Sequence, residues 1–186
     1  MTRTLALGVA VLVLTGIAWA EETVTPTRWE GSREGLSFRF MARTPAQMAA
    51  FYEGRGVVRQ AIDEIRKACF IGGVLVNKTQ DIVWLDLSMW RFVDRDGKPI
   101  NRYVRDSWHK IWARLDVPLA NQSVFDWTQL PESRDLHPAE SVGGNISLQP
   151  PAGSFALEAH FPLGAARDKG EIVVRISDLN CPREKS

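Results

Sequence analysis

The chain has 186 residues, with 23 lysines and arginines against 22 aspartates and glutamates. That length suits one domain with a real but modest core. A charge this close to balance lacks the basic excess that binding nucleic acid or an anionic membrane surface requires.

The first twenty residues follow the pattern of a cleavable export signal. Arg3 gives the positive start, Leu5 to Ile17 is an uncharged apolar run, and Ala18-Trp19-Ala20 is a small-x-small cleavage site ahead of Glu21-Glu22. Leu5 to Ala20 falls short of the roughly 20 apolar residues of a spanning helix. The expected mature protein is therefore soluble, starts at Glu21 and inserts in no membrane. No cysteine lies near the cleavage site to carry a lipid anchor. Removing Arg3 leaves 22 basic against 22 acidic residues. Arginine outnumbers lysine and alanine is plentiful, which suggests a bacterial source and a periplasmic or secreted location.

Residues 21–35 are polar, with Pro26, Gly31 and Gly35, and read as a loose lead-in to a single domain over 36–186. Leu36-Ser-Phe38-Arg-Phe40 alternates with period two, as a half-buried strand does. Thr44-Pro45-Ala46-Gln47 is a capping box with proline at the first helical position. It starts a helix through Met48, Phe51 and Tyr52 that stops at Gly54 or Gly56. Val58, Ala61, Ile62, Ile65 and Cys69 follow at helical spacing, with Asp63 and Lys67 set to pair on the opposite face. The two helices form a hairpin over about 44–68.

From Phe70 the period changes. Strands are expected at Phe70–Val76, Ile82–Val93, Ser123–Thr128, Val142–Leu148, Phe155–Phe161 and Ile172–Leu179. Asn77 to Asp81 and Asp94 to Gly97 make turns, and Pro99 to Val104 returns from the second of them. Trp108, Ile111, Trp112 and Leu115 mark a short amphipathic helix. The pattern predicts a mainly β fold, an antiparallel sandwich with an inserted helical hairpin and one further helix.

Two stretches carry a resemblance. One is Val74-Leu-Val-Asn77-Lys-Thr79, then Trp84-Leu-Asp-Leu87, then Phe92-Val-Asp-Arg-Asp-Gly97-Lys-Pro99. The other is Leu136-His-Pro138-Ala-Glu140 through Gly144 to Pro150. Together, over about residues 70–180, they resemble the small immunoglobulin-like, telokin-like domains of bacterial exported proteins. Ala139 stands where that pattern usually has glycine. The resemblance implies an immunoglobulin-like fold and an accessory role, and says little of function.

No catalytic motif is present, and no cofactor or metal is expected. Asp94-x-Asp96-Gly97 begins like a calcium loop but lacks the later acidic ligands, so it reads as a hairpin turn. His109, His137 and His160 fall in separate elements. Trp84, Trp90, Trp108 and Trp112 are the candidate binding surface, with Trp127 a fifth ring further along the chain. They would either form a platform for a protein partner or sugar rings, or lie under the inserted helices as a second, minor core. The expected activity is non-catalytic binding of a protein partner in the cell envelope; the alternative is carbohydrate or cell wall.

Cys69 and Cys181 are expected to form a disulfide, the simplest fate of a cysteine pair in an exported protein. Topology adds a condition. Strand directions alternate in an antiparallel sandwich, so the start of Phe70–Val76 and the end of the last strand share a pole only if the strands between them number an even total. Sharing a pole is required, because bridged Cα atoms are only about 4.4–6.8 Å apart.

Overall fold

A computed structural model describes residues 28–182. The expected signal peptide and residues 21–27 lie outside the described residues. The remainder of the expected lead-in is not loose. Arg28–Arg33 forms β1, paired antiparallel with β2, Leu36–Arg43. The turn between them is Glu34-Gly35, with φ of 48° and 85°. Two consecutive left-handed residues suit the twist of a tight hairpin.

Helix α1 is Pro45–Glu53, and its capping box forms as written in the sequence. The Gln47 amide donates to Thr44 Oγ1 and the Thr44 amide donates to Gln47 Oε1, both at 3.1 Å. The chain reverses at Gly56, whose φ of 74° needs glycine. Helix α2 covers only Arg59–Ile65, so Cys69 belongs to β3, Cys69–Asn77. The expected Asp63–Lys67 pair does not form: Asp63 meets Arg59 and Lys67 meets Glu64. The shorter helix ends before Lys67 could complete a helical turn over Asp63.

Strand β4 (Val83–Asp86), a single 3-10 turn (Leu87–Met89) and β5 (Trp90–Asp94) replace one long expected strand. Helix α3 is Arg105–Arg114 and helix α4 is Leu119–Trp127. The expected strand Ser123–Thr128 is therefore helix. Its β-formers Val124 and Phe125 misled, because burial of Phe125 among aromatic rings outweighs weak local propensity. The last strands are β6 (Ser133–Leu136), β7 (Ser141–Leu148), β8 (Phe155–Pro162) and β9 (Glu171–Leu179).

The fold is thus mainly β, with antiparallel sheets and four helices among the described residues. One sheet has the order β1-β2-β3-β7, another β5-β8-β9, and β4 pairs with β6. Leu36, Phe40, Ile71, Leu75 and Ile146 from the first sheet meet Phe155, Leu157, Phe161 and Val174 from the second in one core. Residues 99–104 join the two sheets along one side. The Ile100 amide donates to Phe92 O at 2.8 Å, and the Tyr103 amide donates to Ser147 O at 2.8 Å. Leu130 donates to Asn145 O further along, so the outer edge of β7 is covered.

The four helices cover one end of the outer face of the β1-β2-β3-β7 sheet. There they bury Phe70 in a second core with Met48, Tyr52, Ile62, Trp108, Trp112 and Phe125. Cys69 and Cys181 are bonded, with Cα atoms 5.6 Å apart. Seven strands run from β3 to β9, an odd total, yet the cysteines share a pole. The reason is that β4 and β5 run in the same direction. Val83 bridges Leu163 antiparallel and Trp90 pairs antiparallel with Ala159, both along β8 and its extension. The seven strands make six directional runs, and six is even.

Candidate functional site

The tryptophans do not form a surface. Trp108 and Trp112 stack on each other with ring centroids 4.9 Å apart, and Phe125 packs against both. The Trp108 indole donates to buried Ser147 Oγ at 2.8 Å. Trp90 lies in the main core, edge-on to Phe40 and Phe161. Its placement follows from the 3-10 turn. Before that turn the odd residues Val83, Leu85 and Leu87 are buried; after it the even residues Trp90 and Phe92 are. The turn shifts the alternation by one and swings Trp90 inward.

Trp84 faces outward as the alternation predicts, but is covered. Its indole donates to Gly164 O at 2.8 Å, and the Arg167 guanidinium lies 4.3 Å from the ring. Arg167 also donates to Asp86, whose carboxyl is held below its usual pKa chiefly by the Ser88 hydroxyl, with Arg167 assisting. The large ring left in solvent is Trp127, 87% exposed at the end of α4. Sequence reasoning counted Trp127 but placed it in a strand, away from the four proposed rings.

Asp94 Oδ1 accepts from the amides of Asp96 and Lys98, closing its turn on itself. His109 meets Asp126, and His137 meets Asp135. His160 lies between Glu158 and Glu171. Among the described residues, no three histidine, cysteine or acidic side chains converge as metal ligands.

What the sheet leaves open is a groove of about 390 Å³ on the outer face of β2, β3 and β7, beside the helical layer. Phe51 of α1 forms one wall, with the Arg55 guanidinium 3.5 Å from its ring on the solvent side. Arg39, Met41 and Arg43 alternate along β2 to form another. The groove shares Arg39 and Val74 with a second hollow of about 300 Å³ toward Ser37 and Val76. At the helical end, Asn145 and Thr128 border the groove. The Tyr52 hydroxyl lies 2.6 Å from Thr128 Oγ1 and accepts from Gln129 Nε2 at 3.0 Å. Burial pushes the pKa of Tyr52 up against the opposing effect of these hydrogen bonds. That tyrosine ties the helical end of the groove together through these hydrogen bonds.

The floor is bare backbone. Register places Gly72 opposite Asn145 and Gly143 opposite Val74, all on the outer face. The glycines facing inward have evident reasons: a Cβ on Gly144 would lie 2.4 Å from the Leu130 nitrogen, and one on Gly73 would lie 3.1 Å from the Phe40 ring. Gly72 and Gly143 have none. A Cβ there meets nothing nearer than 3.6 Å and 3.4 Å respectively, and neither residue has a left-handed φ. This arrangement offers cationic, aromatic and amide contacts around the glycine floor.

No family model matches the chain, and no curated protein matches it. Among solved structures, the chain is similar to the yjhA protein from Bacillus subtilis, at 12% identity and a TM-score of 0.45, over 80% of this chain and 95% of that one.

Proposed function

We propose that this chain is an exported, non-catalytic binding module of the bacterial cell envelope that docks a protein partner on the outer face of its helix-flanked sheet. In this reading the two sheets are an immunoglobulin-like sandwich, and the helices are an insertion that shapes one end of the docking face. The observation that carries it is the open groove over Gly72 and Gly143, on a sheet face whose one end is covered by the helical layer. Val74, 40% exposed within the groove, and Trp127, next to the groove residue Thr128, add apolar contact of the kind that anchors protein interfaces. The closed disulfide accords with export, as does the lack of any described helix long and apolar enough to cross a membrane.

The sugar reading asked for a platform of rings, and three of its four tryptophans are in cores. Only Trp127 is available to serve it among the described residues. Site-specific photocrosslinking from positions 74 and 127 in the cells that make the protein tests the choice. The expected product is an adduct of one defined mass, destroyed by protease. Adducts removed only by glycan hydrolases would assign the surface to carbohydrate, and their absence at both positions would refute the docking face.

A further inference from the structure

We propose that the groove receives an extended, carboxylate-bearing peptide segment of the partner, an inference that rests on the protein-docking reading above. Three observations converge on this chemistry. The charged residues lining the groove are Arg39 and Arg43, and no acidic residue lines it. Arg43 forms no ion pair or hydrogen bond among the described residues, and Arg39 has only the solvent-exposed Glu30 at 3.4 Å. Arg39 and Arg43 lie 4 residues apart on one strand face with Met41 between them, about 13 Å along the strand, which matches residues i and i+4 of an extended peptide, with one same-face residue between them.

The glycines supply the third observation. Glycine weakens a strand and is retained where another backbone must approach closely. Gly144 meets that description within the fold, lying under the Gln129-Leu130 backbone, and Gly73 makes room for the Phe40 ring, whereas a Cβ on Gly72 or Gly143 would meet nothing nearer than ordinary contact distance. A peptide lying there approaches the sheet between the side chains of Arg43, Asn145 and Val74. Its carboxylates then reach guanidinium groups, which bind them in a planar, two-pronged geometry. Met41 and Val74 receive the apolar residues between.

The test uses the oxidised chain, ¹⁵N-labelled, with two blocked pentapeptides: Glu-Ser-Val-Ser-Glu, which sets two carboxylates about 13 Å apart with valine between them on one face, and the same sequence with lysine for glutamate. The acidic peptide is expected to shift the Gly72, Gly143 and Asn145 amides saturably, and the basic one to leave them unmoved. Affinity should fall at least tenfold on R43Q and decline as salt is raised. The double variant G72A/G143A should lose binding while its melting temperature stays level or rises, since these alanines meet only ordinary contacts. G144A is the contrasting control, expected to lower the melting temperature through its overlap with the Leu130 backbone.

Equal shifts by both peptides, no shift by either, or unaltered binding by G72A/G143A would overturn the proposal. An acidic oligosaccharide that shifts the same amides as strongly as the peptide would overturn it in favour of an anionic glycan. The docking reading is judged separately. A protein adduct from position 127 that persists in G72A/G143A keeps that reading and removes the groove from it. Acidic-peptide binding without any protein adduct keeps the groove and removes the reading.

Discussion

Asn77 is a side chain on which a turn depends. It is fully buried, and its Nδ2 donates to Asp81 O and Leu136 O, both at 2.8 Å. Its Oδ1 accepts from the Thr79 amide and the Thr79 hydroxyl. Asn77→Ala strips partners from several buried groups at once, and is expected to cost about 3 kcal/mol in urea denaturation. His160 makes a different statement. Hydrogen bonds to Glu158, then to Glu171, raise its pKa, while Arg175 competes for the Glu158 carboxylate. A raised folded-state pKa means that the contribution to stability is complete below the unfolded value, about 6.5, and is lost as pH rises through the folded one. The urea midpoint of wild type should therefore exceed that of His160→Gln at about pH 5.5, with the gap closing toward about pH 8.5. A gap that widened with pH would contradict the assigned partners.

Elements were legible where local chemistry and tertiary environment agree. The Thr44 capping box, the alternation of Leu36–Phe40 and the last three strands all read directly, because each has one buried face and a clear terminus. Three elements did not. β6, Ser-Arg-Asp-Leu, has one buried residue and no alternation to detect. The C-terminal half of α4 carries the β-formers Val124, Phe125 and Trp127, yet is helix where Phe125 packs into the second core. The 3-10 turn at Leu87–Met89 is too short to carry a period, yet it decides which face Trp90 takes. The groove was illegible for another reason: Gly72 and Gly143 meet only through the register of β3 with β7, across some seventy residues of sequence. The second core predicts a simple optical result. Acrylamide should quench one emission component strongly, and Trp127→Phe should remove that component. Trp108→Ala, by contrast, should destabilise by about 3–5 kcal/mol, as loss of a large core ring does.

At the scale of the whole molecule, the two sheets and the helical layer converge at the pole where Cys69 and Cys181 meet. An even number of directional runs separates the cysteines, as a shared pole requires, and local sequence signals do not supply that count, because β4 and β5 are two strands travelling one way. Closing a loop with a sequence separation of 112 restricts the unfolded chain by roughly 4–5 kcal/mol in the chain-entropy model. Reduction should lower the free energy of unfolding by about that amount, with no free thiol titratable beforehand in denaturant.

The same bond divides the molecule mechanically. Everything from β3 to β9 lies inside a covalent ring, while β1, β2, α1 and α2 hang outside it as a tether. Stretched between handles at Arg28 and Pro182, the oxidised protein can pay out only residues 28–68, 41 residues, a contour of about 140 Å at roughly 3.5 Å per residue. The ring itself bears load through sulfur and hides its contour. Adding reductant should release roughly a further 390 Å in a distinct second event. The domain is thus a strap of fixed length when oxidised and a much longer one when reduced, and optical tweezers can read its redox state as distance.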